Sequence, residues 1–182
     1  MRKKNIKNYK SASKECGFNL VETIVVVTII GIIATVLLVS MDRTRKNSRD
    51  KKRITDLENI RLGLELYHDQ FGAYPSTGGQ WWTVCTNAGD PTARDTSGPN
   101  GYIPDLAPAF MVELPTDPTG CEGGAYHGYI YQSNGVDYKV AADWTAELGE
   151  DCELGDPYAD PPRTTVAAHT FCSIYTPGGA AY

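Results

Sequence analysis

A single carboxylate, Glu22, stands at the edge of the run LVETIVVVTIIGIIATVLLVSM, residues 20–41. From 23 to 41, nineteen residues follow without a charge. As a helix they would rise about 28 Å, close to the roughly 30 Å hydrocarbon core of a bilayer. A carboxylate placed there costs about 3 kcal/mol or more unless it finds a partner, so Glu22 reads as functional. A second group of oxygens lies in ELGEDCELGDPYADPP, residues 147–162. Asp151, Glu153, Asp156 and Asp160 could supply hard ligands to calcium. A solvated acidic loop tied down by Cys152 is the favoured reading of the same stretch.

Thiol chemistry is the third candidate. None of the five cysteines, Cys16, Cys85, Cys121, Cys152 and Cys172, forms a C-x-x-C, which argues against zinc. With Cys16 set aside, four remain, an even number suited to two disulfides in an oxidising compartment. Three pairings are open; Cys85–Cys121 with Cys152–Cys172 is preferred weakly, because each closes a compact loop. Enzyme chemistry finds no support. His68, His127 and His169 are scattered without an H-E-x-x-H, and there is no G-x-S-x-G or phosphate loop. Ser11 and Lys14 match S-x-x-K only formally, within the basic N-terminal stretch.

Charge is unevenly spread. Of 17 Lys and Arg, six lie in residues 1–17 and seven in RTRKNSRDKKR, residues 43–53. From residue 62 onward, 16 acids face 3 bases. So acidic a body should repel nucleic acid, whose phosphates dominate such binding. Stretch 43–53 has three readings: a DNA patch, contact with anionic lipid, or a solvated helix face pairing with acids of neighbouring subunits. The last two are preferred. The cations on both sides of the apolar run give no orientation by themselves. A cleaved secretory signal is disfavoured, since LLVSMDRTR offers no A-x-A site.

The segment G-F-N-L-V-E followed by TIVVVTIIGIIATVLLV resembles the class III signal of type IV pilins and type II secretion pseudopilins. The resemblance implies that a membrane-embedded prepilin peptidase cuts between Gly17 and Phe18 on the cytoplasmic side. Phe18 would then be N-methylated and Glu22 would become the fifth mature residue. The apolar run would be kept. Glu22 could pair with the Phe18 ammonium of a neighbouring subunit, and a subunit out of register would leave a buried charge unpaired. FGAYPSTGG resembles the G-x-Y-P turn of type II secretion pseudopilins, and ELPTDP, residues 113–118, resembles their L-P-x-D-P segment. Major pseudopilins bind calcium in a loop near 147–162, but their glycine-rich calcium pattern is not reproduced here.

Several elements must position these residues. No proline precedes Pro75, so helix can run from about Asn19 to about Phe71, roughly 80 Å. Many pilins carry a proline in this helix, which tilts the reading toward the pseudopilins. Ile54, Leu57, Ile60, Leu64, Tyr67 and Phe71 recur at steps of 3 and 4, a stripe to pack under the head. Gly72 ends the helix. Residues 128–142 read as a hairpin turning at Ser133, Asn134 and Gly135, and 170–176 as a third strand. From 77 to 106 a loop with one short helix at most is expected, pinned by Trp81 and Trp82. The fold class is therefore α+β: a long N-terminal helix on a small antiparallel sheet. The divisions are a leader at 1–17, a membrane or filament-core half-helix at 18–41, an amphipathic half at 42–72 and a head at 73–182.

The expected function is structural: a subunit of a pilus-like filament, most readily a type II secretion pseudopilin. The alternatives are a surface pilin for adhesion, motility or DNA uptake, and a membrane-anchored binding module that does not polymerise. The implied partners are copies of itself, other pilin-like subunits, prepilin peptidase, an inner-membrane assembly platform and membrane lipid. No cofactor is implied beyond the calcium considered above. The implied location is the inner membrane, single-pass, with the head outside the cytoplasm in a periplasmic pseudopilus or a cell-surface filament.

Overall fold

The computed structural model describes residues 19–86, 93–121, 127–153, 155–162 and 170–182, apart from the side chains of Val39 and Thr170. Cys16, Gly17, Phe18 and His169 lie outside the described residues. The chain divides into two units, Met1–Asp42 and Arg43–Tyr182. One helix, α1 (Leu20–Phe71), supplies residues to both.

The ends of α1 have identifiable causes. Asn19 caps the start: its side-chain oxygen accepts from the Val21 N–H at 3.3 Å and its carbonyl from the Thr23 N–H at 3.1 Å. At the other end Gly72 takes φ +72°, and its N–H donates to the His68 carbonyl at 2.7 Å. Only a residue without a Cβ adopts that turn freely. Pro75 follows, where a further helical turn would lack a donor.

The second unit is a four-stranded antiparallel sheet with the later part of α1 against it. The strands are β1 (Trp82–Thr83), β2 (Gly128–Ser133), β3 (Tyr138–Ala146) and β4 (Thr170–Tyr175), in the order β1-β2-β3-β4. Tyr131 of β2 opposes Val140 of β3, which in turn opposes Ile174 of β4. Between β2 and β3, Asn134 Oδ1 accepts from the N–H groups of Val136 and Asp137, both at 2.8 Å, and Gly135 takes φ +93°. These bonds fix the hairpin register. The core joins Leu57, Ile60 and Leu64 of α1 to Tyr129, Tyr131, Val140, Ala142, Cys172 and Ile174 of the sheet. Tyr102, Ile103, Leu106 and Leu114 close it from the loop before β2. Gly63 admits this loop: a Cβ there would already touch the Leu106 side chain at 3.5 Å.

Three expectations need correction. Phe71 does not sit under the head; it is exposed, with the rings of Tyr67 and Phe110 against it. The buried stripe fades one turn earlier because the helix outlasts the sheet's cover. Among its described residues, 77–106 forms no helix. It instead contributes the short edge strand β1, with Arg94 over the Trp82 ring at 4.0 Å. The stretch 147–162 is not simply solvated, since Cys152, Ala159 and Asp160 are buried.

Candidate functional site

The first unit offers an assembly surface. All described side chains from Leu20 to Leu38 are exposed, including Val and Ile on every side of the helix. So much bare apolar surface demands lipid or other helices around it. Its hydroxyls are satisfied internally: Thr28 donates to the Val25 carbonyl at 2.8 Å and Thr35 to the Gly31 carbonyl at 2.9 Å. Such back-bonding lets a polar residue enter an environment without water. Glu22 lies exposed in the first turn, and residues 19–42 contain no Lys, Arg or His to neutralise it.

The second unit brings together two stretches that the sequence keeps a hundred residues apart. Three cations of 43–53, Arg43, Arg49 and Lys51, meet acids of the head's own loop. Arg43 donates to Glu150 at 3.0 Å, and Asn47 to the same carboxylate at 3.2 Å. Arg49 grips Glu147 with two donors, one at 2.6 Å, and Lys51 pairs with Asp151. Lys52 instead pairs with Asp56 along its own helix at 2.7 Å. Deeper in, Arg53 holds Asp117 in a two-pronged pair at 2.7 and 2.8 Å and reaches Asp50 at 2.6 Å. Neither the Arg53 nor the Asp117 side chain touches solvent. Asp50 in turn accepts the N–H groups of Glu147, Leu148 and Gly149 at 3.0, 2.7 and 3.1 Å. The loop backbone thus wraps a helix carboxylate.

The electrostatics follow from these contacts. Burial pulls the Arg53 guanidinium down, but its bonds to Asp117 and Asp50 outweigh that and raise it. Burial pushes the Asp117 carboxyl up; Arg53 and two donors from Thr119 still hold it below its ordinary value. Arg49 lowers Glu147, and Asp151 raises Lys51. The helical spacing could have announced this face. The stripe that begins at Ile54 extends backward by steps of 4, 3 and 4 to Asp50, Asn47 and Arg43. It was hidden because those positions are polar.

Three of the four acids considered for calcium, Asp151, Asp156 and Asp160, are separately engaged. Asp160 is fully buried and pairs with buried Lys139 at 2.8 Å. Asp151 faces Lys51, and Asp156 accepts the Glu153 N–H at 3.0 Å. Among the described residues no three His, Cys, Asp or Glu side chains converge on a metal position. Disulfides join Cys85 to Cys121 and Cys152 to Cys172. The second ties the acidic loop to β4. Of the processing residues, Gly17 and Phe18 lie outside the described residues.

The chain is 29% identical over 111 residues to type II secretion system core protein G of Vibrio cholerae, spanning 61% of this chain and 70% of the relative. Identity is 26% over 113 residues to the protein of that name from Pectobacterium carotovorum, spanning 62% and 67%. It is 24% over 139 residues to that from Escherichia coli, spanning 74% and 90%. The chain is a distant homologue of type II secretion system core protein G, a pseudopilin. No family model and no solved structure matches it. Its pseudopilin relatives are structural, non-enzymatic proteins. Pseudopilin kinship implies assembly with pilin-like subunits and a place at the inner membrane and periplasm. The apolar part of α1 is compatible with a membrane span.

Proposed function

We propose that the chain is a pseudopilin subunit of a type II secretion filament, made with a leader at 1–17 that prepilin peptidase removes between Gly17 and Phe18. Residues 18–41 then hold the subunit in the inner membrane before assembly and form the filament core after it. Residues 42–72 carry the head, 73–182, on the outer side of that membrane. The observation that carries this reading is Glu22: an exposed carboxylate in the first turn of a predominantly apolar helical surface, with no cation from 19 to 42. Its partner must come from outside that stretch. The N-methylated ammonium of Phe18 in an adjacent subunit has the right charge and lies at the right end of the helix. In low dielectric the pair forms only in the correct axial position, so it selects register.

Mass spectrometry of the N-terminal peptide from membranes of cells with an active prepilin peptidase tests the processing step. A peptide beginning at N-methylated Phe18 is expected. An intact leader would overturn the reading and leave a plain signal anchor.

A further inference from the structure

The pairing of helix and loop leaves a question of purpose. Residues 43–53 hold seven cations and one acid, and they begin two positions after Met41, the end of the apolar run. Their charge is offset in the folded chain by Glu147, Glu150 and Asp151, which arrive from one loop. Arg43 and Lys51 nonetheless keep more than half of their side-chain surface open, so the cover is a lid of counter-charges rather than a packed core.

We infer that helix segment 43–53 is a binding surface for anionic lipid headgroups, and that the acidic loop 147–151 is its competing intramolecular occupant. The inference rests on the reading that residues 18–41 span a membrane. Cations directly beyond such a span lie at headgroup height, where phosphate is the abundant anion. Phosphates and the loop carboxylates are alternative partners for the same side chains. Each exposed pair is individually weak. What favours the loop is its tether: Cys152, adjacent to Asp151, is bonded to buried Cys172 of β4, which keeps the carboxylates at high local concentration. Asp50 adds a second tether through three loop N–H groups. Before the head has folded and the disulfide has closed, the segment lies on the bilayer surface. Closure exchanges lipid phosphate for Glu147, Glu150 and Asp151 and frees the segment from the surface.

The test reconstitutes the full chain in vesicles of phosphatidylcholine alone or with about a third phosphatidylglycerol. Acetylation of Lys51 and Lys52 is read by mass spectrometry. The wild type and the triple variant Glu147→Gln, Glu150→Gln, Asp151→Asn are compared. The triple variant keeps both disulfides and the buried Arg53–Asp117 pair, and labelling of buried Lys139 reports any loss of fold. Labelling of wild-type Lys51 should be low and indifferent to lipid charge. In the variant it should rise about fivefold in neutral vesicles, as expected for a weak exposed pair, and fall back in anionic ones unless salt is added. Lys52, paired within the helix, should not respond in neutral vesicles. Unchanged Lys51 labelling in the variant, or labelling that ignores lipid charge, would overturn the inference. The Cys152→Ser, Cys172→Ser variant provides a second opening of the lid and should behave alike. Failure of the chain to float with vesicles of either kind would instead sink the membrane reading, so the two failures are distinguishable.

Discussion

Arg53 and Arg43 lie on one helix and both meet carboxylates, yet their environments separate them by an order of consequence. Arg53 is wholly enclosed and answers two buried acids, Asp117 and Asp50. Truncating it leaves those charges without a counter-charge in a site water does not reach. Arg53→Ala should therefore cost about 3–5 kcal/mol. Arg43 sits largely in solvent against Glu150, and an exposed pair gains little over hydration. Arg43→Ala should leave the urea midpoint of the detergent-solubilised chain within error, while Arg53→Ala moves it far. Equal midpoints for the two variants would refute the buried network. The same enclosure sets a direction with pH. In the folded chain Asp117 and Glu147 titrate below their ordinary values of 3.8 and 4.5. The stability they contribute is thus complete above those values and is lost as pH falls through the lowered ones. Lys51 is raised above 10.5, so its contribution is complete below that value and lost only as pH rises through the raised one. Unfolding followed by circular dichroism should give a plateau from about pH 5 to 8 and a decline on further acidification. Asp117→Asn should lower the plateau and make the acid limb shallower. A limb of unchanged steepness would show that other carboxyls govern it.

At the scale of elements, the acidic loop is held by ion pairs to the helix, by its N–H groups on Asp50 and by one covalent tie. Closing a loop of 20 residues, as Cys152–Cys172 does, removes chain entropy worth about 3 kcal/mol from the unfolded state. Cys85–Cys121 spans 36 residues and should contribute about 4 kcal/mol on the same account. The two differ in what they release. Cys152→Ser with Cys172→Ser should speed amide hydrogen exchange in 147–153 while the β2–β3 hairpin stays protected. Exchange that accelerates evenly over both would mean that the loop has no separate opening. Which elements could be read from the sequence follows from how locally each is determined. The helix was legible from 19 to 71 because its causes are local: no proline before Pro75 and an end at Gly72. The hairpin was legible because Asn134 and Gly135 supply its turn. Strand β1 was not, since two residues, Trp82 and Thr83, carry no period and pair only because β2 lies beside them. The burial of Asp160 was illegible for the opposite reason. An acid in an acid-rich run looks solvated, and only the folded chain places Lys139 against it.

Over the whole molecule, the decisive contrast is between a unit that satisfies itself and one that does not. Residues 43–182 pair their buried Arg53 and Lys139 internally and enclose a continuous core. Residues 19–42 leave every described side chain bare, and Glu22 has no cation of that stretch to compensate it. Such a surface is complete only in other company, and two kinds of company are separable by removing the charge alone. Glu22→Gln keeps the length and hydrogen-bonding reach of the side chain. In lipid the substitution is favourable, because a carboxylate in the apolar region costs about 3 kcal/mol that an amide largely avoids. Retention of the variant in the membrane fraction should be at least equal to wild type. Between subunits the substitution removes the anion that a Phe18 ammonium requires, leaving that ammonium unpaired where unpaired charge is heavily penalised. Assembly, read as subunits recovered in sheared filaments or as cysteine cross-links between neighbouring helices, should fall at least tenfold, the equivalent of about 1.4 kcal/mol per contact. Glu22→Asp, which keeps the charge on a shorter arm, should fall between the two. Full assembly of Glu22→Gln would dissociate Glu22 from register selection, and loss of the variant from membranes would place its role in insertion instead.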